Sequence, residues 1–166
     1  MNYLRNKNID IDTKINFIEN LKYFEVNTYR EVKQLRHLVA EKLNKDKGIV
    51  SNKATGFNAI ITRETIQKII HPTSKSKFNS LTLRYIDNLN AACYLKELFE
   101  NAVYIDTLKP MKAKINNVNE LGYHHFVAPL KMKGEYVIRH LLLLEKKSIL
   151  RFYMLFLSDF LNLIIY

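Results

Sequence analysis

The sequence predicts an α+β fold, with N-terminal helices packed on a four- to five-stranded, mainly antiparallel sheet. Three observations predict it. Helical periodicity dominates the chain before Ala102, and strand-like runs dominate after it. The two longest of those runs are separated by Lys133-Gly134, a two-residue turn signal.

The elements follow in order. Residues 13–24 are weakly amphipathic. Thr28-Tyr29-Arg30-Glu31 fits a capping box, in which the threonine hydroxyl and the glutamate carboxylate satisfy each other's exposed amides. Val32, Leu35, Leu38, Val39 and Leu43 follow at helical spacing, and Asn44–Gly48 ends the helix. Ile49–Ser51 and Phe57–Ile61 read as short strands joined by the polar turn Asn52–Gly56. Thr62 is placed to cap a short helix carrying Ile66, Ile69 and Ile70, which Pro72 prevents from continuing. Ser80 is placed to cap one long helix to about Asn101, with Leu81, Tyr85, Leu89, Ala92, Leu95 and Phe99 on its apolar stripe. Ala102–Ile105 reads as a strand. Tyr123–Met132 and Glu135–Leu144 form the clearest hairpin, and Ile149–Leu157 suits a further strand. By this organisation residues 1–46 are an N-terminal helical extension, and residues 47–166 are the α+β domain.

Composition narrows the classes. A chain of 166 residues with 48% hydrophobic and 25% charged content has enough apolar matter for one core. The single cysteine, Cys93, rules out an internal disulfide and thiolate-rich zinc sites, and reads as a small buried hydrophobe. Met1–Lys7 lacks the apolar stretch of a secretory signal, so a cytoplasmic location is expected. Ser148–Tyr166 is strongly apolar, but Arg151, Ser158, Asp159 and Asn162 interrupt it, which favours a core element over a membrane anchor. No phosphate-binding Gly-Lys-Ser/Thr loop, dinucleotide glycine pattern, His-Glu-x-x-His or Gly-x-Ser-x-Gly is present. Those absences remove support for nucleotide hydrolysis, dehydrogenase chemistry, zincin proteolysis and serine hydrolysis.

The charge is uneven. The formal net charge is +10, and residues 1–46 hold nine Lys/Arg against seven Asp/Glu, while residues 47–166 hold seventeen against nine. Such an excess attracts polyanions. Arg63, Lys68, His71, Lys75, Lys77 and Arg84 fall in one segment whose only acid is Glu64. Ser76 adds a hydroxyl between two of those lysines. Lys112 and Lys114 lie in the acid-free stretch 107–119, and Lys131 lies near the hairpin turn. These are the candidate nucleic-acid contacts, namely Arg63, Lys68, Lys75, Ser76, Lys77, Arg84, Lys112, Lys114 and Lys131.

If Lys133-Gly134 is a two-residue turn, Met132 faces Glu135, Ala128 faces Arg139 and Phe126 faces Leu141. Arg139 then sits on an apolar face, where a guanidinium must pair, snorkel or line a cleft. His125 and His140 fall on the other face as diagonal neighbours. Metal-free RNA cleavage needs a base for the 2′-hydroxyl, an acid for the leaving oxygen and cations for the phosphate. The candidate catalytic residues are therefore His71, His125, Arg139 and His140, with no metal and no cofactor.

The run Gly48–Asn52 to Thr55–Ile61, the helix Thr62–Ile70, the segment AACYLKELFENAV (Ala91–Val103) and the hairpin YHHFVAPLKMKGEYVIRHLLLL (Tyr123–Leu144) together resemble the large polyvalent protein-associated domain group. That group is linked to phage-encoded barnase/EndoU/colicin/RelE-like nucleases. The resemblance covers roughly residues 47–145 and carries over no catalytic set residue by residue. It implies an RNase-toxin-like fold from a phage or mobile element, metal-independent endoribonuclease activity in active members, RNA as partner and a cognate antitoxin or immunity protein. The alternative is a non-catalytic nucleic-acid- or protein-binding module of a mobile-element protein.

Overall fold

The computed structural model describes residues 18–19, 21–71, 83–108, 120–146 and 149–152. The chain has the α+β architecture expected of it. Helix α1 (Tyr29–Lys45) starts at a complete capping box, in which Thr28 Oγ1 accepts from the Glu31 amide and Glu31 Oε2 accepts from the Thr28 amide. Its stripe Val32, Leu35, Val39 and Leu43 is buried. Strands β1 (Gly48–Ser51) and β2 (Asn58–Ile61) form a hairpin. Helix α2 (Arg63–Ile70) starts at Thr62, whose hydroxyl accepts from the Thr65 amide, and ends at His71.

The long helix expected up to Asn101 is two helices, α3 (Leu83–Ala92) and α4 (Leu95–Glu100). The amide of Cys93 is shared between the carbonyls of Leu89 and Asn90, and the Tyr94 amide reaches back only to Ala91. This tighter turn breaks the regular ladder without glycine or proline. The reason is tertiary: beyond the break Leu95, Leu98 and Phe99 lose all exposure against the sheet. Phe99 meets Phe126 and Phe152 edge-on, each with ring centroids 5.2 Å apart. The predicted stripe survives the break, since Tyr85, Leu89, Ala92, Leu95 and Phe99 are all buried.

Strands β3 (Val103–Leu108), β4 (Glu120–Met132), β5 (Glu135–Lys146) and β6 (Ile149–Phe152) form an antiparallel meander. Strand β6 also lies parallel to β2, giving six strands in the order β1-β2-β6-β5-β4-β3. The extra strand beyond the expected four to five arises because β6 joins the β1–β2 hairpin to the meander. Strand β6 matches the start of the predicted 149–157 run, and residues 153–157 lie outside the described residues.

The β4–β5 register is the one the turn predicts, with Met132 opposite Glu135 and Ala128 opposite Arg139. Lys133 and Gly134 both have positive φ, 51° and 83°, as a two-residue hairpin turn with strand-matching twist requires. The face carrying Phe126, Ala128, Leu130, Arg139 and Leu141 is buried beneath the helices.

Of the expected N-terminal helical extension, the described residues 18–19 and 21–27 are not helical. Ile18 bridges to Leu130 at the β4 edge, and residues 21–27 run along α3. Asn90 holds this strap, accepting from the Phe24 amide and donating to its carbonyl. Helix α1 shares one buried cluster with the sheet and the other helices. Among the described residues, no helix is long and apolar enough to cross a membrane.

Candidate functional site

The site begins with an irregularity in β3. Val103 pairs with Val127 and Tyr104 with Phe126, but Asp106 then pairs with His125 and Thr107 with His124. Ile105 is the extra residue of a β-bulge. Tyr104 and Asp106 are two apart and would share a face of a regular strand; the bulge sends them to opposite faces. Asp106 thereby comes to the sheet face turned away from the helices, beside His125.

His125 and His140 meet on that face. His125 Nε2 lies 2.8 Å from His140 Nδ1, and the rings stack with centroids 5.1 Å apart and planes 16° apart. His125 Nδ1 lies 3.6 Å from Asp106 Oδ1, and both side chains are mostly covered, at 19% and 14% exposure. The three groups form a line from β3 through β4 to β5. Burial lowers the proton affinity of His125 below its ordinary value of 6.5, while the nearby Asp106 carboxylate acts to raise it. In this contact one imidazole donates and the other accepts, the roles being set by the tautomer. Such a line can relay a proton among His140, His125 and Asp106 and stabilise it there.

Arg139 is adjacent in sequence but faces the other way. It is 4% exposed and donates from Nη1 to Asn88 Oδ1 on α3 at 3.2 Å, with Nη2 3.5 Å from Met132 Sδ. Nearby, the Tyr23 hydroxyl donates to Asp87 Oδ1 at 2.6 Å. Burial and the Asp87 carboxylate push the Tyr23 hydroxyl's pKa up, and the Arg139 charge partly opposes them. Arg139 thus ties the hairpin to α3 and the strap, and the sheet itself separates it from the histidine pair.

The remaining described candidates lie on several elements. His71 is exposed at the C-terminal end of α2, away from the His125–His140 pair by its place in the fold. Arg63 is exposed in the first turn of α2, and Lys68 pairs with Glu64 one turn back at 2.9 Å. Arg84 belongs to α3. Lys131 lies on the same sheet face as the histidine pair, with its ammonium 5.1 Å from the Tyr136 ring centroid. Lys75, Ser76, Lys77, Lys112 and Lys114 fall outside the described residues.

One position of the site escaped sequence reasoning. Asp106 carried no signal, because regular alternation assigns it the face of Tyr104. His124 alternates with His125 and is buried on the core side, where its Nδ1 lies 3.1 Å from Thr107 Oγ1 and Phe57 packs on its ring. Among the described residues, no group of three or more His, Cys, Asp or Glu side chains is placed to hold a metal ion. Cys93 is buried, which pushes its thiol up to about 11 and leaves it a poor nucleophile at neutral pH.

A comparison with family models matches residues 30–153 to large polyvalent protein-associated domain 3, a span that runs from α1 through β6. No curated protein and no solved structure matches the chain.

Proposed function

The chain belongs to the large polyvalent protein-associated domain 3 family, and from that premise we propose that it is an RNase-like effector of a phage or mobile element. It binds RNA by its excess positive charge and cleaves it without a metal. The observation that supports this reading is the Asp106–His125–His140 line, with its 2.8 Å contact between two imidazoles on the face away from the helices. His140 takes the proton of a ribose 2′-hydroxyl, and the oxygen attacks the adjacent phosphorus. The bond from phosphorus to the 5′-oxygen breaks, and that oxygen takes a proton back from the histidine pair. The products are a 2′,3′-cyclic phosphate and a 5′-hydroxyl end. Lys131 serves the phosphate backbone on the same face. The buried Arg139 maintains the hairpin rather than touching the phosphate.

The test is incubation of the protein with RNA in EDTA. Parent protein leaves cyclic-phosphate ends, and His125→Ala and His140→Ala each slow cleavage about 100-fold or more. Intact RNA in every lane, the parent included, removes the cleavage reading. Salt-sensitive binding with no cleavage would instead identify a non-catalytic RNA-binding module.

A further inference from the structure

Beyond the histidine pair, the same sheet face carries a second chemical feature. Strands β4 and β5 place cross-strand pairs on it in succession: Val127 with His140, Pro129 with Ile138, and Lys131 with Tyr136. The last pair ends the strip beside the hairpin turn. Tyr136 is 50% exposed, and the Lys131 ammonium lies over its ring, 5.1 Å from the centroid. Between this ring and His140, Ile138 is partly exposed and its cross-strand partner Pro129 is buried. Tyr136 and His140 are four steps apart along β5, a distance of about 13 Å.

We propose that Tyr136, with Lys131 beside it, is a base-stacking subsite for single-stranded RNA whose backbone runs along this strip to the histidine pair. This inference rests on the reading of the face as RNA-handling and adds the substrate class. An exposed ring offers a π-face that any unpaired base can cover, and the adjacent ammonium meets the phosphate that follows. In a duplex, both faces of each base are already stacked on neighbours, so the ring has nothing to take. The +10 net charge of the chain favours a polyanion over an apolar protein segment as occupant of a tyrosine–lysine strip. The intervening pair, Pro129 and Ile138, is apolar and lacks hydrogen-bonding side chains, so selection by base edges is not expected there.

The experiment measures binding separately from cleavage. The full chain carrying His140→Ala is titrated in EDTA into a fluorescent single-stranded RNA and into the same sequence as a duplex, following anisotropy. Tyr136→Ala and Tyr136→Phe are compared on that background. Tyr136→Ala weakens single-strand binding about 10-fold or more, Tyr136→Phe stays within about twofold, and duplex binding responds to neither. Thermal melts of all variants check folding, and the phenylalanine variant keeps the ring in place. Unchanged single-strand affinity in Tyr136→Ala, an equal loss on duplex, or no RNA binding by the His140→Ala parent would each overturn the subsite. Cleavage of RNA by the unmodified chain is scored independently. Loss of binding in Tyr136→Ala with no cleavage leaves the subsite standing and removes the nuclease reading. Cleavage with Tyr136→Ala binding as its parent does the reverse.

Discussion

Asn52 shows how much one polar side chain can hold. It is 1% exposed in the β1–β2 turn, and its amide nitrogen donates to the carbonyls of Phe99 and Ala102 at 2.7 and 2.8 Å. Its oxygen accepts from the amide and hydroxyl of Thr55. One side chain therefore serves the end of α4, the approach to β3 and its own turn. Asn52→Ala leaves two buried carbonyls without these donors and lowers stability by about 2–4 kcal/mol in urea unfolding. His125 makes a prediction of a different kind. Its folded-state pKa lies below 6.5, so the unfolded chain binds the proton more readily. The stability this contributes is complete above 6.5 and is lost as pH falls from there through the folded-state pKa. Asp106→Asn removes the largest influence that raises the value, so the His125 pKa falls further in an NMR titration of the ring protons. A rise or no change in that variant would show that the carboxylate does not act on His125.

At the scale of elements, the strap meets the broken helix. Residues 21–27 make no regular structure of their own, and backbone groups of Lys22 and Phe24 are met by side chains of α3 and of the break that follows it. Asn90 brackets Phe24 at 2.8 and 3.2 Å, and the Tyr94 hydroxyl accepts from the Lys22 amide at 2.8 Å. Tyr94 reaches the strap from the break between α3 and α4. Asn90→Ala releases the strap at Phe24, so the Phe24 amide exchanges with deuterium at least about 10-fold faster, while α1 amides keep their protection. Equal acceleration in α1 would mean that strap and core open together.

Across the whole molecule, Phe99 joins the helical layer to both halves of the sheet through Phe126 on β4 and Phe152 on β6. Phe99→Ala leaves a cavity where three elements meet and costs about 3–5 kcal/mol in chemical denaturation. The class of the fold, the stripes of α1, α2 and α3–α4, and the β4–β5 register were legible in the sequence. Each rests on local periodicity, on a cap, or on a two-residue turn, and burying one face makes such patterns self-consistent. The opposition of Arg139 to His140 was legible too, because adjacent residues of a strand point to opposite faces. Three features were not. The break at Cys93–Tyr94 carries no glycine or proline, and it exists because Leu95, Leu98 and Phe99 must reach a sheet formed by distant residues. The parallel pairing of β6 with β2 joins segments about ninety residues apart in the chain, so no local pattern encodes it. Asp106 joined the histidine pair only through the bulge at Ile105. Sequence by itself determined which residues face inward and which two histidines are neighbours. Tertiary structure decided where regular pairing gives way by one residue, because that choice depends on packing across strands rather than on any single strand's pattern.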